Sequence, residues 1–426
     1  MLESLVNAFR APDIRRRILF VLGILVVYRL LAQVPLPGID REQLRAFFEQ
    51  NEAFGFLDLF SGGGLSSLSI VALTMNPYIN ASIIMQLMTG VIPRLQALQR
   101  EGEYGRQRLN QYTRYLTVPM SFLQAFGFLS LLNRDGIIID GFDLGSFTSW
   151  VLMLTLVAGA VVLMWLGELI TEKGIGNGIS FIIFAGIVSR APSGLASLIS
   201  QPDPRIILGI ALFAVVAVGT IIYIQEGQRR IPIQYASRVR GRRTYQGGQT
   251  FLPLRVNLAG VIPIIFAISI LQFPAQLALY FTSSTVEVVS GVAQAIVGFL
   301  ASNTIQYAVL YFLLTVGFTY FYTAFTFKPD ETADQLRKNG GFIPGIRPGI
   351  PTRDYLKNVV QRITVAGSLF LGVVAVAPVV AGILDPGLQG LALGGTGLLI
   401  VVSVVVETMK QIEAQLLMRN YEGFIR

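Results

Sequence analysis

Apolar stretches of about twenty residues recur along the chain, separated by polar connectors of very unequal length. They cover 18–36, 73–93, 115–133, 149–171, 179–197, 206–225, 257–282, 305–327, 363–384 and 388–409. A helix needs about 20 apolar residues to cross a ~30 Å hydrocarbon layer, so the pattern predicts ten membrane-spanning helices. The period-two alternation of an outer-membrane barrel is absent. One stretch breaks the pattern. FLDLFSGGGLSSLSI (Phe56 to Ile70) directly precedes the second apolar run, yet it is too short and too polar to cross, and three glycines interrupt it. Non-helical backbone at membrane depth has to be enclosed by protein or line an aqueous cavity. The segment therefore reads either as a re-entrant half-helix with a glycine hinge, entering a cavity from outside, or as an external loop lying at the interface.

Composition agrees with a polytopic, all-α membrane protein. Of 426 residues 53% are hydrophobic and 14% charged, and the mean hydropathy is +0.61. Charge then sets the orientation. With both termini in the cytosol, 27 of the 33 Lys and Arg fall on the cytosolic side. Outside there are only Arg41, Arg45, Arg134 and Arg205, while Arg29 and Arg190 lie within spans. This is the positive-inside asymmetry, and it accounts for the net charge of +8 without nucleic acid. The segment MLESLVNAFRAPDIRRR (1–17) reads as a cytosolic amphipathic lead-in, without the small-residue cleavage site of a signal peptide. Two cytosolic loops, 226–256 and 328–362, are longer and more basic than topology requires. Loops of that length are often functional. They read either as a docking surface for a large acidic or RNA-containing partner or as topogenic loops.

The missing residue types narrow the function. There is no histidine and no cysteine, so the commonest general base, the commonest metal ligand and thiol chemistry are absent together. No two aspartates fall within spans, which leaves no intramembrane protease chemistry. Arg29, Glu168, Arg190 and Glu407 are the ionisable residues in spans, each near a span end, so nothing marks a midplane ion-coupling site. GIGNGIS (Gly174–Ser180) lacks the lysine and preceding strand of a phosphate loop and reads as a tight turn between spans. The chain is expected to be no enzyme and to need no cofactor or metal. Anything it moves is driven from elsewhere.

The blocks MNPYINASIIMQL, MWLGELITEKGIGNGISFIIFAGIV, GQRRIPIQYASRVRGRR, LPLRVNLAGVIPIIFA, FYTAFTFKPDETADQLRKNGGFIPGIRPG and GGTGLLIVVSVVVE resemble, in order and from the first span to the last, the SecY family of bacterial protein-secretion channels. Asn76 departs from the apolar residue usual in the family before Pro-Tyr-Ile, which bears on polarity near the pore. The last residues of the chain match poorly. The resemblance implies a protein-conducting channel in the bacterial plasma (inner) membrane. Its two five-helix halves, 18–197 and 206–409, are related as an inverted pair and hinge about the external loop 198–205, with a cytosolic tail at 410–426. It also implies that 54–70 is a plug closing the pore from outside, with Phe56, Leu57, Phe60, Ser61, Gly62, Gly63 and Gly64 as plug and hinge. A lateral gate between spans two and three and spans seven and eight would admit signal sequences and release transmembrane segments into lipid.

Matched block to block, the family's apolar constriction falls on Ile79, Ile83, Ile179, Ile183, Ile265 and Ile400. The first two pairs are spaced i, i+4 and so face one way on their helices. A dry ring of this kind obstructs ions by dewetting yet deforms around a passing chain. Gln86, Gln124 and Asn257 are gate candidates, with ordinary interhelical hydrogen bonds as the alternative, and Phe273 matches a gate position. Arg242, Arg243 and Arg347 match cytosolic loop tips that in the family meet the motor ATPase SecA or the ribosome. SecE and SecG subunits, nascent polypeptides and membrane lipids complete the implied partners. Two other classes stay open at this point: an inverted-repeat transporter, which predicts a midplane charge, and an insertase-type interaction protein, which needs no pore.

Overall fold

The computed structural model describes residues 9–40, 42–44, 46, 63–134, 136–139, 141–199, 204–235, 238–240, 243–245, 248–282, 286–301, 304–384 and 389–423; for 190–191, 193–199, 204–207, 210, 213, 238–240, 243–245, 389–396 and 419–423 this holds for the backbone alone. Its helices are α1 (Pro12–Leu31), α2 (Asn76–Val91), α3 (Pro93–Arg100), α4 (Glu103–Arg134), α5 (Phe147–Lys173), α6 (Gly178–Ile199) and α7 (Pro204–Glu226). Strands β1 (Gln228–Tyr235), β2 (Arg238–Arg240), β3 (Arg243–Tyr245) and β4 (Gln249–Arg255) follow. Then come α8 (Ile262–Phe281), α9 (Glu287–Phe299), α10 (Ile305–Thr326), α11 (Pro329–Lys338), β5 (Gly341–Phe342), α12 (Ile350–Leu384) and α13 (Gln389–Gly423).

Among the described residues, five helical stretches are long and apolar enough to cross a membrane: Glu103–Arg134, Phe147–Lys173, Ile262–Phe281, Ile305–Lys338 and Ile350–Leu384. Helices α1, α2, α6, α7 and α13 lie over the other five expected spans. Several helices outrun their apolar stretches. α4 begins at Glu103 and α12 at Ile350, because hydropathy marks the lipid layer while helix-forming polar sequence continues beyond it. Proline starts α1, α2, α3, α8 and α11, where its missing N–H is not needed.

Small residues bring the helices together, as expected where lipid gives no hydrophobic drive for association. A Cβ on Gly159 of α5 would stand 1.9 Å from the carbonyl oxygen of Ile70, and one on Gly178 of α6 would stand 1.7 Å from that of Gly167. Gly367 of α12 lies in the same way against the Val256 carbonyl, at 2.6 Å. A central apolar cluster joins α1, α2, α5, α6, α8, α10, α12 and α13. A second holds segment 65–73 against α4 and α5.

The described chain is predominantly helical, as expected, and its strands are confined to the two long loops. The loop 226–256 is folded, with β1 paired antiparallel to β4 in the register Ile231↔Leu252, and β2 paired to β3. The second long loop joins the same sheet through β5, as Gln234↔Phe342 and Tyr235↔Gly341. Ile231, Ile233 and Leu254 are buried against Leu336 of α11 and Leu356, Val359 and Val360 of α12. Alternating burial along β1 drives this pairing.

Candidate functional site

Residues near the starts of three helices line one cavity. α2 starts just after Met75, α8 just after Val261, and α6 at Gly178. The Asn177 side chain caps α6, its Oδ1 accepting from the backbone N–H of Ile179 at 3.0 Å and Ser180 at 3.3 Å. The first two turns of these helices carry Ile79, Ile179, Ile183 and Ile265 toward one another.

Two cavities meet there. The larger, about 710 Å³, is a polar funnel. Its wall includes Ser82 and Gln86 from α2, Gln107, Asn110, Gln111 and Arg114 from α4, Glu168 and Glu172 from α5, and Tyr322 from α10. Arg114 Nε donates to Glu168 Oε1 at 2.6 Å across the α4–α5 wall. The smaller cavity, about 20 Å³, has room for little more than one water. It is lined by Thr74, Met75, Asn76, Ile182, Ile183, Ile268, Ser269 and Gln272 together with Ile79 and Ile265. Ile79 and Ile265 line both cavities. They are the partition between a wide polar vestibule and a narrow space beyond it.

Of the six expected ring positions, Ile179 lies on the funnel side and Ile183 on the narrow side of that partition. Ile83 and Ile400 are buried in the same central cluster but line neither cavity. Asn76, the departure noted in the sequence, contributes a polar wall beyond the ring with Ser269 and Gln272.

Phe56, Leu57, Phe60, Ser61 and Gly62 lie outside the described residues. Gly63 adopts φ +90°. After Gly64 the chain is firmly held: Leu65 and Leu68 are buried in the second cluster, and Leu36 N–H and Ile70 N–H bond to the carbonyls of Leu68 and Val34. Leu68 and Thr74 take positive φ, +44° and +54°, in a region a leucine or a β-branched threonine seldom adopts.

Four contacts define a seam between α2/α4 and α8/α10. Gly127 of α4 lies against the ring of Tyr280 on α8, and a Cβ on Gly90 of α2 would meet the ring of Phe321 of α10 at 3.6 Å. Arg134 Nη1 donates to Thr282 Oγ1 at 3.1 Å. α2 also packs directly on α8. Gln86, Gln124 and Asn257 do not bridge the helices. Gln86 Nε2 donates within α2 to Ser82 and Asn257 Nδ2 to its own turn at Gly260. Gln86 Oε1, Gln124 Nε2 and Asn257 Oδ1 are buried without a partner. Phe273 is half-buried on α8. Arg242 lies outside the described residues, and for Arg243 only its place in β3 is described. Arg347 is exposed at the turn between β5 and α12, where its carbonyl accepts from Thr352 Oγ1 at 2.8 Å. Among the described residues no three or more Asp or Glu side chains gather as a metal site would need.

The seam contacts, the funnel and the ion pair had no signal in the sequence, since each depends on which helices become neighbours.

The sequence profile of the SecY family matches residues 69–409, most of the chain. The chain belongs to the SecY family. It is 46% identical to the protein translocase subunit SecY of Streptomyces coelicolor and 43% identical to that of Mycobacterium tuberculosis, covering 100% of both chains in each comparison. Among solved structures it matches a protein-conducting channel with a TM-score of 0.64, at 19% identity over 93% of this chain and 91% of that one. It matches Sec61 in the canine ribosome–channel complex with a TM-score of 0.60, at 19% identity over the same shares. The SecY fold therefore extends over nearly the whole chain.

Proposed function

We propose that this chain is the channel subunit of a protein translocase in the bacterial plasma membrane. It passes unfolded secretory polypeptides outward and releases hydrophobic segments sideways into lipid. The observation that carries this reading is the partition made by Ile79 and Ile265 between a polar vestibule of about 710 Å³ and a space of about 20 Å³. A transporter would need a charged or ion-binding group at that level. The narrow space itself is walled by isoleucine, methionine, amide and hydroxyl groups, and the charges of the vestibule wall, Arg114, Glu168 and Glu172, lie outside it, with Arg114 and Glu168 paired to each other.

In this reading the ten helices form two inverted halves about the 198–205 loop, with both termini in the cytosol. Residues 54–70 act as the plug, with Ser61 to Gly64 as its hinge. Burial from Leu65 onward favours a fixed root just beyond the glycines. The seam between α2/α4 and α8/α10 is the lateral gate. Buried polar groups without partners cost about 1–3 kcal/mol each, so Gln86, Gln124 and Asn257 favour a closed state that opens readily when a signal helix supplies partners. Energy comes from SecA or the ribosome at the basic loops, where Arg242, Arg243 and Arg347 offer phosphate and carboxylate contacts, and SecE and SecG complete the complex. Relatives named translocase subunits and a ribosome-bound fold neighbour support these roles.

The absence of cysteine makes the test direct. A single cysteine at Ile183, with another at the exposed Leu212 as control, is paired with an arrested secretory chain carrying one cysteine. A disulfide at Ile183 alone places the chain in this pore. No disulfide while export continues refutes the reading.

A further inference from the structure

Between α8 and α10 the residues 282–304 carry one charge, Glu287. Helix α9 occupies 13 of them, too few to span a bilayer. At 100° per residue its side chains sort onto three faces. Ser290, Ala293 and Val297 are the half-buried or buried ones, toward the supporting helix α8. Glu287, Gly291, Gln294 and Gly298 make a polar, small edge. Val288, Val292, Ile296 and Phe299 fall within an arc of roughly 80°, and they are 74%, 56%, 37% and 54% exposed.

An exposed apolar stripe of this kind needs a cover. Five residues separate α9 from each flanking helix, so it stays within ~20 Å of their ends. The adjoining helix ends carry further bare apolar side chains, Phe281 on α8 and Ile305 on α10, with Val309 and Leu313 continuing along α10. The stripe is thus tethered beside helix ends that bear bare apolar side chains of their own. It carries no charge with which to recognise a polar partner.

We propose that α9 is an interfacial anchor. It lies in the outer lipid–water boundary with the Val288–Phe299 stripe in the acyl region and the Glu287–Gln294 edge in water, and so fixes the outer end of α8. The inference rests on the reading that α8 and α10 cross the membrane. In the complete complex in vesicles, single cysteines at Val292, Ile296, Gln294 and Leu313 carry a spin label, and collisions with oxygen (lipid phase) and a nickel chelate (water) are compared. The expected result is an oxygen-to-nickel ratio at Val292 and Ile296 matching Leu313 and well above Gln294. Nickel-dominated collisions at Val292 and Ile296 with Leu313 still in lipid overturn the anchor alone. Shielding of those two labels from both reagents means a protein cover and also overturns it. A water-exposed Leu313 instead overturns the membrane reading beneath it.

Discussion

Gly127 of α4 and Tyr280 of α8 leave no room for a methyl group between them: a Cβ on the glycine would stand 1.8 Å from the Tyr280 Cε2 atom. The contact lies toward the outer end of the proposed gate, near the Arg134–Thr282 hydrogen bond. Gly127→Ala therefore pushes the two helices apart or displaces the ring, an overpacking cost of about 1–3 kcal/mol. The expected outcome is higher ion leak through reconstituted bilayers and easier insertion of weak signal sequences. Adding Tyr280→Ala makes room and returns conductance toward the parent. Unchanged leak in Gly127→Ala would remove this contact from the closure of the gate.

The ring positions are expected to divide in function. Ile79 and Ile265 line both cavities, whereas Ile83 and Ile400 line neither. The double variant Ile79→Gly/Ile265→Gly opens a wetted path, because a constriction that excludes water by its apolar walls loses that barrier when the walls recede. Single-channel recording should show a clear increase. Ile83→Gly removes packing, at about 2–5 kcal/mol by analogy with Ile→Ala, and lowers thermal stability with little added leak. Equal conductance in the two cases would merge them into one undivided gasket.

Much of this was legible in the chain because the membrane imposes long uniform signals. Runs such as 149–171 admit few readings other than a span, and the blocks around Ile79, Ile183 and Ile265 named residues that line the two cavities. The β1–β4 pairing was hidden by its arginines: Arg229 and Arg230 precede Ile231, Pro232 and Ile233, so a short alternation reads as a charge run. Helix α9 was missed because its 13 residues fall short of a span and lack a strong polar face. Thr74 could not be read at all. A positive φ follows from how segment 65–75 is stitched to 34–36 and α5, and no local residue announces it.

Gln124 is buried, 4% exposed, with its Nε2 unpartnered. Gln124→Leu keeps the shape and removes the orphan, so the closed seam gains about 1–3 kcal/mol. Higher thermal stability should accompany slower export and weaker release of transmembrane segments. Lower stability would instead reveal a partner that Gln124 already has.

Thr74 is buried at φ +54° just before α2. Such backbone costs about 1–3 kcal/mol in a non-glycine residue, part of which glycine forfeits again through its freer unfolded chain. Thr74→Gly is expected to raise the melting temperature in detergent modestly, and Thr74→Val to leave the strain in place. A lower melting temperature for the glycine variant would argue that threonine adopts this conformation without strain.

The sheet β1–β4–β5 ties two loops that are a hundred residues apart into one stiff bracket, bolted by Ile231, Ile233 and Leu254 to α12. The bracket runs on through Val256, whose carbonyl lies against Gly367, into the turn that starts α8 four residues before Ile265. In the proposed channel, a push on either loop would reach the start of α8, and with it Ile265, through the same paired strands. Under the proposed function, a motor and a ribosome would then have one mechanical input in common without sharing a single contact.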